Sequence, residues 1–275
     1  RRARAAAAPN GSLAAASPTR RAAASVLALP PGDLPMNATG LAAVARFLLP
    51  RFESLCLDPG HGPYRAIQPR ELLALLAAMV LTGTEVLIEA GTAAGFTAEK
   101  LAKFFLGSGV RLYTIDNDAN GMEGKRGMLT GAAQRLALFS AAVTVLRGDA
   151  LAELPRLMRQ HAGQPSAAFF DGPPGLRAMA VCQELIADHG IRFCAFHDVA
   201  PYWGYAWVDQ LLHWERLVLL THRPYWSRLF GALDSAHACF QPERLCGLHD
   251  DAGPFGQEYL ERRWRFGAGL AIVAG

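Results

Sequence analysis

The stretch Glu85-Val-Leu-Ile-Glu-Ala-Gly-Thr-Ala-Ala-Gly-Phe-Thr-Ala98 is the most informative segment of this chain. It begins as a short apolar strand, passes through a turn of small residues and ends as the start of a helix. Gly91 and Gly95 lie four positions apart in the turn, and glycine allows a backbone to approach a ligand closely. The helix that follows presents free N–H groups to an anionic group. The pattern is typical of a doubly wound α/β domain that binds a nucleoside-containing ligand above its first strand.

The glycine spacing separates the kinds of nucleotide site. A dinucleotide fold has G-x-G-x-x-G at this turn, whereas three residues separate Gly91 from Gly95 here. A phosphate-binding P-loop ends in Gly-Lys-Ser/Thr, whereas the residue directly after Gly95 is Phe96. The alternative to any nucleotide site is an ordinary strand-to-helix turn, since such a pattern arises easily in a chain rich in alanine and glycine.

Composition bounds the class of protein. The chain has 275 residues, of which 51% are hydrophobic and 19% charged, which indicates one globular domain. Five arginines fall in the first 32 residues, and without them 22 basic residues face 24 acidic ones. We therefore expect no nucleic-acid partner. No apolar run approaches the roughly 20 residues of a membrane helix, so we expect no membrane contact.

The first 35 residues form a tail rich in alanine, arginine and serine. Such a segment buries too little surface to fold and is predicted to be disordered. Its first 32 residues are rich in arginine and free of acids, as organelle transit peptides are. This favours a chloroplast or mitochondrion over a cytoplasmic or secretory location. A plain linker, or the stem that follows a missing anchor, is the alternative.

From residue 85 onward, apolar strands alternate with helices of ten residues or more, which predicts a parallel sheet covered on both faces. The predicted fold is α/β and Rossmann-like: a doubly wound, seven-stranded, mostly parallel sheet with an antiparallel C-terminal strand and helices on both faces. The predicted strands are 85–90, 110–116, 142–147, 166–171, 191–198, 217–221 and 266–273. The predicted helices are 39–50, ended by Pro50, then 69–81, 96–106, 121–138, 150–161, 175–189 and 204–213.

Acidic residues lie at or near the carboxyl end of each of the first five strands. They are Glu89, Asp116, Asp149, Asp171 and Asp198. The carboxyl ends of parallel strands share one edge of the sheet, where ligands bind. Gathered carboxylates repel one another and require a cation, hydroxyl donors or amines. Taken singly, each acid is also explained as a helix N-cap or an exposed loop residue.

Five motifs in order resemble the class I S-adenosylmethionine (SAM) methyltransferases, on the small-molecule O-methyltransferase branch. The resemblance is to the catechol and caffeoyl-CoA type and the macrolide-sugar type, and it runs from Pro69 to Val199 and includes the final strand. The motifs are Val86-Leu-Ile-Glu-Ala-Gly-Thr-Ala-Ala-Gly-Phe-Thr97, Leu112-Tyr-Thr-Ile-Asp116, Arg147-Gly-Asp-Ala150, Phe169-Phe-Asp-Gly172 and Ala195-Phe-His-Asp-Val199.

The resemblance implies SAM as cofactor and assigns residues to it. Gly91 and Gly95 would let the backbone pass beneath the methionine part of SAM. Thr97, at the start of the helix, would meet the cofactor's carboxylate. Glu89 would organise the turn and bind its backbone or the cofactor's amino end.

Three aspartates complete the implied cofactor site. Asp116 would accept hydrogen bonds from both ribose hydroxyls, because the two oxygens of a carboxylate suit a cis-diol. Asp149 would accept a hydrogen bond from the adenine amino group. Asp171, at the end of the fourth strand, would lie beside the cofactor.

The resemblance also implies a catalytic centre at the ends of strands four and five. Asp171 and Asp198, joined by His197, would hold a divalent cation, with Mg²⁺ as the first candidate. His197 and Asp171 are the candidate catalytic residues, and a base or a hydrogen-bonded core histidine is the alternative for His197. Catechol-type enzymes carry a lysine base where this chain has Pro174, and no lysine follows Lys125.

The expected activity is methyl transfer from SAM to an oxygen of a small hydroxylated molecule. Within the domain from 36 to 275, residues 36–82 would form N-terminal helices, 83–199 the cofactor core, and 200–275 the acceptor side and closing strands. Tyr202 and Trp203 are candidates for the acceptor pocket, and a homodimer is a candidate assembly. Alternatives are a SAM-fold binding or scaffold protein without catalysis and a nicotinamide oxidoreductase, which the glycine spacing disfavours.

Overall fold

A central sheet of seven strands organises the molecule. The computed structural model describes residues 34–56, 67–118, 128–172, 175–199, 206–236 and 269–275. The strand order is β3-β2-β1-β4-β5-β7-β6. The strands are β1 Val86–Ala90, β2 Arg111–Asp116, β3 Val143–Arg147, β4 Ser166–Phe170, β5 Phe193–His197, β6 Leu217–Leu220 and β7 Leu270–Ala274.

Helices cover both faces of this sheet. The helices among the described residues are α1 Ala38–Cys56, α2 Pro69–Leu81, α3 Phe96–Phe104, α4 Met128–Leu136, α5 Ala150–Gln160, α6 Leu176–His189, α7 Ala206–Leu212, α8 Pro224–Phe230 and α9 Ala232–Ala236.

Strand directions confirm the predicted fold class. β1 to β5 pair in parallel, and β7 runs antiparallel to both β5 and β6. The order starts in the middle at β1, moves outward to β3, and then returns through β4 to the other edge. This reversal makes the sheet doubly wound, and the crevice outside the strand ends at such a reversal is where ligands bind in open α/β sheets.

The hydrophobic core lies in two layers, one on each face of the sheet. Because side chains alternate across a strand, Leu87 packs into one layer and Val86 and Ile88 into the other. In the same way Phe169 and Phe170 enter opposite layers. The first layer contains buried side chains of α1, α2 and α3, and the second contains those of α5, α6 and α7.

The N-terminal helix corrects one prediction. We expected Pro50 to end the helix, but α1 runs on to Cys56 with Pro50 inside it. A proline removes one intrahelical hydrogen bond, yet the turn beyond it is held by other contacts. Phe52 is fully buried in the first core layer, and the Arg51 guanidinium donates to the backbone carbonyl of Phe104. Tertiary packing therefore outweighs the local cost of the proline.

The region after β6 contains two helices that the sequence did not reveal. Pro224 begins α8 at its first position, as proline commonly does. Trp226 of α8 is fully buried, and its indole Nε1 donates to the carbonyl oxygen of Arg70 at 3.0 Å. Arg70 in turn pairs with Asp234 of α9, with Nε 3.0 Å from Oδ2. Both helices are thus attached to the first turn of α2.

The predicted tail and the predicted division of the chain stay predictions. Residues 1–33, Tyr202, Trp203 and Pro174 lie outside the described residues. No helix in the described part of the chain combines the length and the hydropathy needed to span a bilayer.

Candidate functional site

Polar side chains replace apolar ones where four neighbouring strands end. On β1, β2, β4 and β5 the first core layer receives Leu87, Leu112, Phe169 and Ala195. Two residues further along each strand, on the same face, stand Glu89, Thr114, Asp171 and His197. Leu87 pairs with Leu112 and Phe169 with Ala195, whereas Glu89 pairs with Phe169. Glu89 and Thr114 are therefore opposite each other, and Asp171 and His197 lie one step further toward the carboxyl end of the sheet.

The turn after β1 is held close to the end of β4. Gly91 adopts a φ of +106°, and a Cβ placed on it would lie 2.4 Å from the carbonyl oxygen of Asp171. The Gly91 amide donates to the Ile115 carbonyl at 2.8 Å, and the Asp171 amide donates to the Ala90 carbonyl at 2.8 Å. Glycine is therefore required at position 91 because the turn after β1 and the end of β4 lie too close together for a Cβ atom.

Gly95 is also constrained by packing. It adopts a φ of +77°, and its missing Cβ would meet the Cβ of Ala132 in α4 at 3.0 Å. Arg135 of α4 braces the same turn, because its Nε donates to the Ala94 carbonyl at 3.2 Å. Thr97 is buried in the first turn of α3, at the predicted position for meeting an anionic group.

Glu89 is a buried carboxyl group held by a chain of hydroxyls. The Thr114 hydroxyl donates to Glu89 Oε2 and lies 2.7 Å from the Thr92 hydroxyl. Burial raises the pKa of Glu89 to about 8, and the neighbouring charges of Asp171 and Asp116 add to this rise. The free protein therefore holds a proton on Glu89 at neutral pH, and a cation placed beside it would favour the ionised form.

Asp116 is fixed at the end of β2 by backbone amides. Its Oδ2 accepts from the Ala93 amide at 2.9 Å, and its Oδ1 accepts from the Asp118 amide at 2.8 Å. Each carboxylate oxygen can accept more than one hydrogen bond, so Asp116 retains acceptor capacity. Asp118 accepts from the Leu129 amide at 3.2 Å and pairs with Arg147 at 2.9 Å.

Asp149 serves as a helix cap. Its Oδ1 accepts from the Leu151 amide at 3.0 Å at the start of α5, and its Oδ2 lies 2.9 Å from Arg177 Nη2. The hydrogen bond with Arg177 lowers the pKa of Asp149. The ordinary explanation of this acid as an N-cap is thus correct for the protein by itself, and the predicted contact with adenine stays a prediction.

His197 lies at the centre of a cluster of carboxylates. Its Nδ1 is 2.8 Å from Asp171 Oδ1 and 3.5 Å from Asp198 Oδ1. Its Nε2 is 3.1 Å from Oε2 of Glu71, a residue of α2. Asp198 has a φ of +59°, in the left-handed region that non-glycine residues adopt infrequently.

Glu71 was absent from the predicted site, and it is the most deeply buried acid at this edge. Its Oε1 accepts from the Gly269 amide at 2.7 Å, and its Oε2 accepts from the Gln68 amide at 3.1 Å. Burial works against ionisation, but the hydrogen bond and charge of His197, with Arg70 and Gly269, lower the pKa of Glu71 to about 2. Glu71 is therefore ionised at neutral pH.

The charge on His197 follows from these neighbours. Burial by itself would lower the pKa of the imidazole, but the charges of Asp171 and Asp198 raise it, as do the contacts with Asp171 and Glu71. The pKa of His197 therefore lies well above its ordinary value. A cation bound at Nδ1 would therefore compete with a proton for that nitrogen.

The donor set fits a divalent cation. One ligand atom from each of Asp171, His197 and Asp198 lies within 4.8 Å of the other two. His197 Nδ1 is buried, and despite its short distance to Asp171 it has no aligned hydrogen-bond partner. Two carboxylates and an unsatisfied imidazole nitrogen are ligands that several divalent ions accept. The residues predicted for a metal site are thus close enough to form one.

The sequence offered a weak signal for Glu71. The helix that begins Pro69-Arg-Glu71 continues as Leu-Leu-Ala-Leu-Leu-Ala-Ala-Met-Val-Leu81, and a helix that is apolar on all sides is buried. A charged pair at the start of such a helix requires buried partners. That reasoning flags Arg70 and Glu71 as paired residues, although it does not name His197 or Asp234.

Comparisons with known proteins give structural likenesses alone. No protein-family model matches the chain, and no curated protein matches it. Among solved structures, it is similar to the O-methyltransferase TomG from Streptomyces achromogenes, which is involved in tomaymycin synthesis and was solved in complex with SAM. The identity is 20%, the match covers 93% of this chain and 96% of that one, and the TM-score is 0.41.

Two further solved structures are similar to this chain. A SAH-bound methyltransferase from Podospora anserina has 13% identity over 96% of this chain and 99% of that one, with a TM-score of 0.40. A putative caffeoyl-CoA O-methyltransferase from Staphylococcus aureus has 13% identity over 74% of this chain and 82% of that one, with a TM-score of 0.39. The fold assignment rests on the strand order and directions of this chain.

The contact at Gly91 predicts a specific loss of stability. Gly91→Ala places a methyl group against the Asp171 backbone, whereas Gly83, with a φ of +62°, has nothing within 4 Å. Gly83→Ala therefore carries only the backbone cost, about 1–2 kcal/mol. We expect Gly91→Ala to lower the free energy of unfolding by about 1–3 kcal/mol more than Gly83→Ala does, because overpacking is destabilising. Urea unfolding of both variants measures this, and equal losses would contradict it.

The raised pKa of Glu89 predicts how stability changes with pH. Between the ordinary value of 4.5 and about 8, the folded state keeps a proton that the unfolded state releases. Stability therefore falls as pH rises through this window. Glu89→Gln stays neutral, so we expect it to be more stable than the wild type above pH 8, by on the order of a few kcal/mol. This advantage should vanish below pH 4.5, and a difference that is constant with pH in denaturation experiments would contradict the assignment.

Proposed function

We propose that this protein is a SAM-dependent methyltransferase that methylates an oxygen of a small hydroxylated molecule. The observation that carries the proposal is that Glu89, Asp116, Asp171 and His197 gather around the glycine turn after β1, at one edge of the sheet. A doubly wound sheet binds ligands at this edge. Methyl transfer is an in-line displacement in which the enzyme positions the two reactants and removes a proton from the acceptor.

The cofactor half of the site is built from β1, β2 and the start of α3. Asp116 would accept hydrogen bonds from the ribose hydroxyls while its backbone contacts hold it in place. Thr97 and the start of α3 would face the carboxylate of the methionine part. Glu89 would lose its proton when the positively charged amino end of SAM approaches, because a nearby cation stabilises the carboxylate.

The acceptor half is built from the ends of β4 and β5. Asp171, His197 and Asp198 would hold a divalent cation there, and such an ion lowers the pKa of a bound hydroxyl group. Glu71 would keep the His197 ring in place from the opposite side. With Nδ1 facing the cation and Nε2 facing Glu71, His197 would not serve as the base. The proton of the acceptor would leave toward a carboxylate, with Asp171 as the nearest candidate beside His197.

A binding protein without catalysis is the second candidate. The observation that favours it is the pairing of His197 with Glu71 and Asp171, which occupies the candidate catalytic groups with one another. The two functions differ in turnover, because a scaffold protein would bind SAM and its demethylated product SAH without methylating any acceptor in a broad panel.

Asp116 provides the test of the cofactor. Asp116→Asn removes the charge that would accept both ribose hydroxyls, and hydrogen bonds to charged groups contribute about 1.5–3 kcal/mol each. We expect calorimetry to show a loss of SAH affinity of about 100-fold. Glu153→Gln, at a partly exposed carboxylate paired with Arg156, is the control and should bind normally. NAD should not bind the wild type, and NAD binding without SAH binding would refute the proposal.

Asp171 separates cofactor binding from the metal response. Asp171→Ala removes one predicted ligand of the cation, so we expect SAH affinity to be retained and any stimulation of methyl transfer by divalent ions to be lost. The measurements are SAH calorimetry and methyl transfer with and without added cation. A variant that keeps the full cation response would show that Asp171 does not hold the metal.

A further inference from the structure

Glu71 determines how the His197 ring presents its two nitrogens. The Glu71 side chain is fully buried, and its two oxygens face three nitrogen groups: the Gly269 amide at 2.7 Å, the Gln68 amide at 3.1 Å and His197 Nε2 at 3.1 Å. A carboxylate can only accept hydrogen bonds. Nε2 must therefore carry its proton, and the ring is held with Nδ1 turned toward Asp171 and Asp198.

His197 Nδ1 is directed at the acidic cluster from a buried position. The side chain is 5% exposed, and Nδ1 has no aligned hydrogen-bond partner although Asp171 Oδ1 lies 2.8 Å away. A buried nitrogen in this condition is suited to donate its lone pair to a cation shared with the two carboxylates. Histidine ligands of metals almost always donate their other N–H to a carboxylate or carbonyl group, which fixes the tautomer. Glu71 is placed to do this.

We propose that Glu71 is the positioning residue of a cation site formed by Asp171, Asp198 and His197 Nδ1, and that this site selects a first-row transition ion such as Mn²⁺ over Mg²⁺. The inference rests on the proposed function for the use of the cation, but its geometry is independent of SAM. Mg²⁺ is bound through oxygen ligands and water, whereas an imidazole nitrogen suits transition metals. Because Glu71 holds an imidazole nitrogen toward the site, we expect the site to prefer a transition ion to Mg²⁺.

The test measures metal binding by the full chain, with and without SAH. Mn²⁺ and Mg²⁺ are titrated separately by calorimetry, and displacement of Mn²⁺ by Mg²⁺ is followed by electron paramagnetic resonance. We expect Mn²⁺ to bind the wild type more tightly than Mg²⁺. Glu71→Gln should weaken Mn²⁺ binding by about 10–100-fold, the usual loss for a residue that supports a ligand. His197→Asn, which replaces nitrogen by an amide oxygen, should narrow the preference for Mn²⁺.

Asp234→Asn is the matched control for Glu71→Gln. Asp234 is another buried carboxylate attached to the first turn of α2, but it pairs with Arg70. We expect this variant to bind Mn²⁺ as the wild type does. Thermal unfolding shows whether each variant folds. If Glu71→Gln does not fold, the ratio of Mn²⁺ to Mg²⁺ affinity in the wild type and in His197→Asn decides whether the site selects a transition ion.

Three results would overturn the proposal. They are Mg²⁺ binding as tight as Mn²⁺ binding in the wild type, undiminished Mn²⁺ binding by folded Glu71→Gln, and the absence of binding of either ion. Failure of the wild type to bind SAH would instead refute the proposed function. The titrations without SAH test the cation site alone, so the two outcomes can be told apart.

Discussion

The contact between the His197 imidazole and the Glu71 carboxylate joins three parts of the fold. His197 ends β5, Glu71 lies in the first turn of α2, and the same carboxylate binds the amide of Gly269 just before β7. A buried carboxylate without partners would be strongly destabilising. The position of α2 against the sheet therefore depends on this group, and so does the direction in which His197 faces the end of β4.

Concentrating acids at one edge of a sheet is unfavourable, and the structure shows how the cost is reduced. Glu89 stays protonated and accepts from the Thr114 hydroxyl, and Asp116 is stabilised by hydrogen bonds from two backbone amides. His197 lies 2.8 Å from Asp171, whose charge helps to raise the pKa of the imidazole. Each arrangement is one of the ordinary responses of a buried ionisable group. A ligand with a positive centre would complete the compensation at Glu89, which is the physical reason for favouring a cationic cofactor.

Much of this fold could be predicted because its signals are local. The alternation of apolar strands and helices predicted the parallel sheet, and acids at the carboxyl ends of successive strands predicted the edge where Glu89, Asp116 and Asp171 gather. Contacts between distant elements could not be predicted. Residue 71 precedes residue 197 by 126 positions, and only the packing of α2 reveals the pair. Pro50 was misjudged for the same reason, since the burial of Phe52 overrides the local preference.

The first turn of α2 also extends the influence of the site to the far end of the sheet. Glu71 contacts His197, while the neighbouring Arg70 binds Asp234 of α9 and offers its carbonyl oxygen to the Trp226 indole. A shift of this turn on ligand binding would alter the polarity around a fully buried indole. Trp226 is therefore an intrinsic fluorophore whose emission would respond to such a shift.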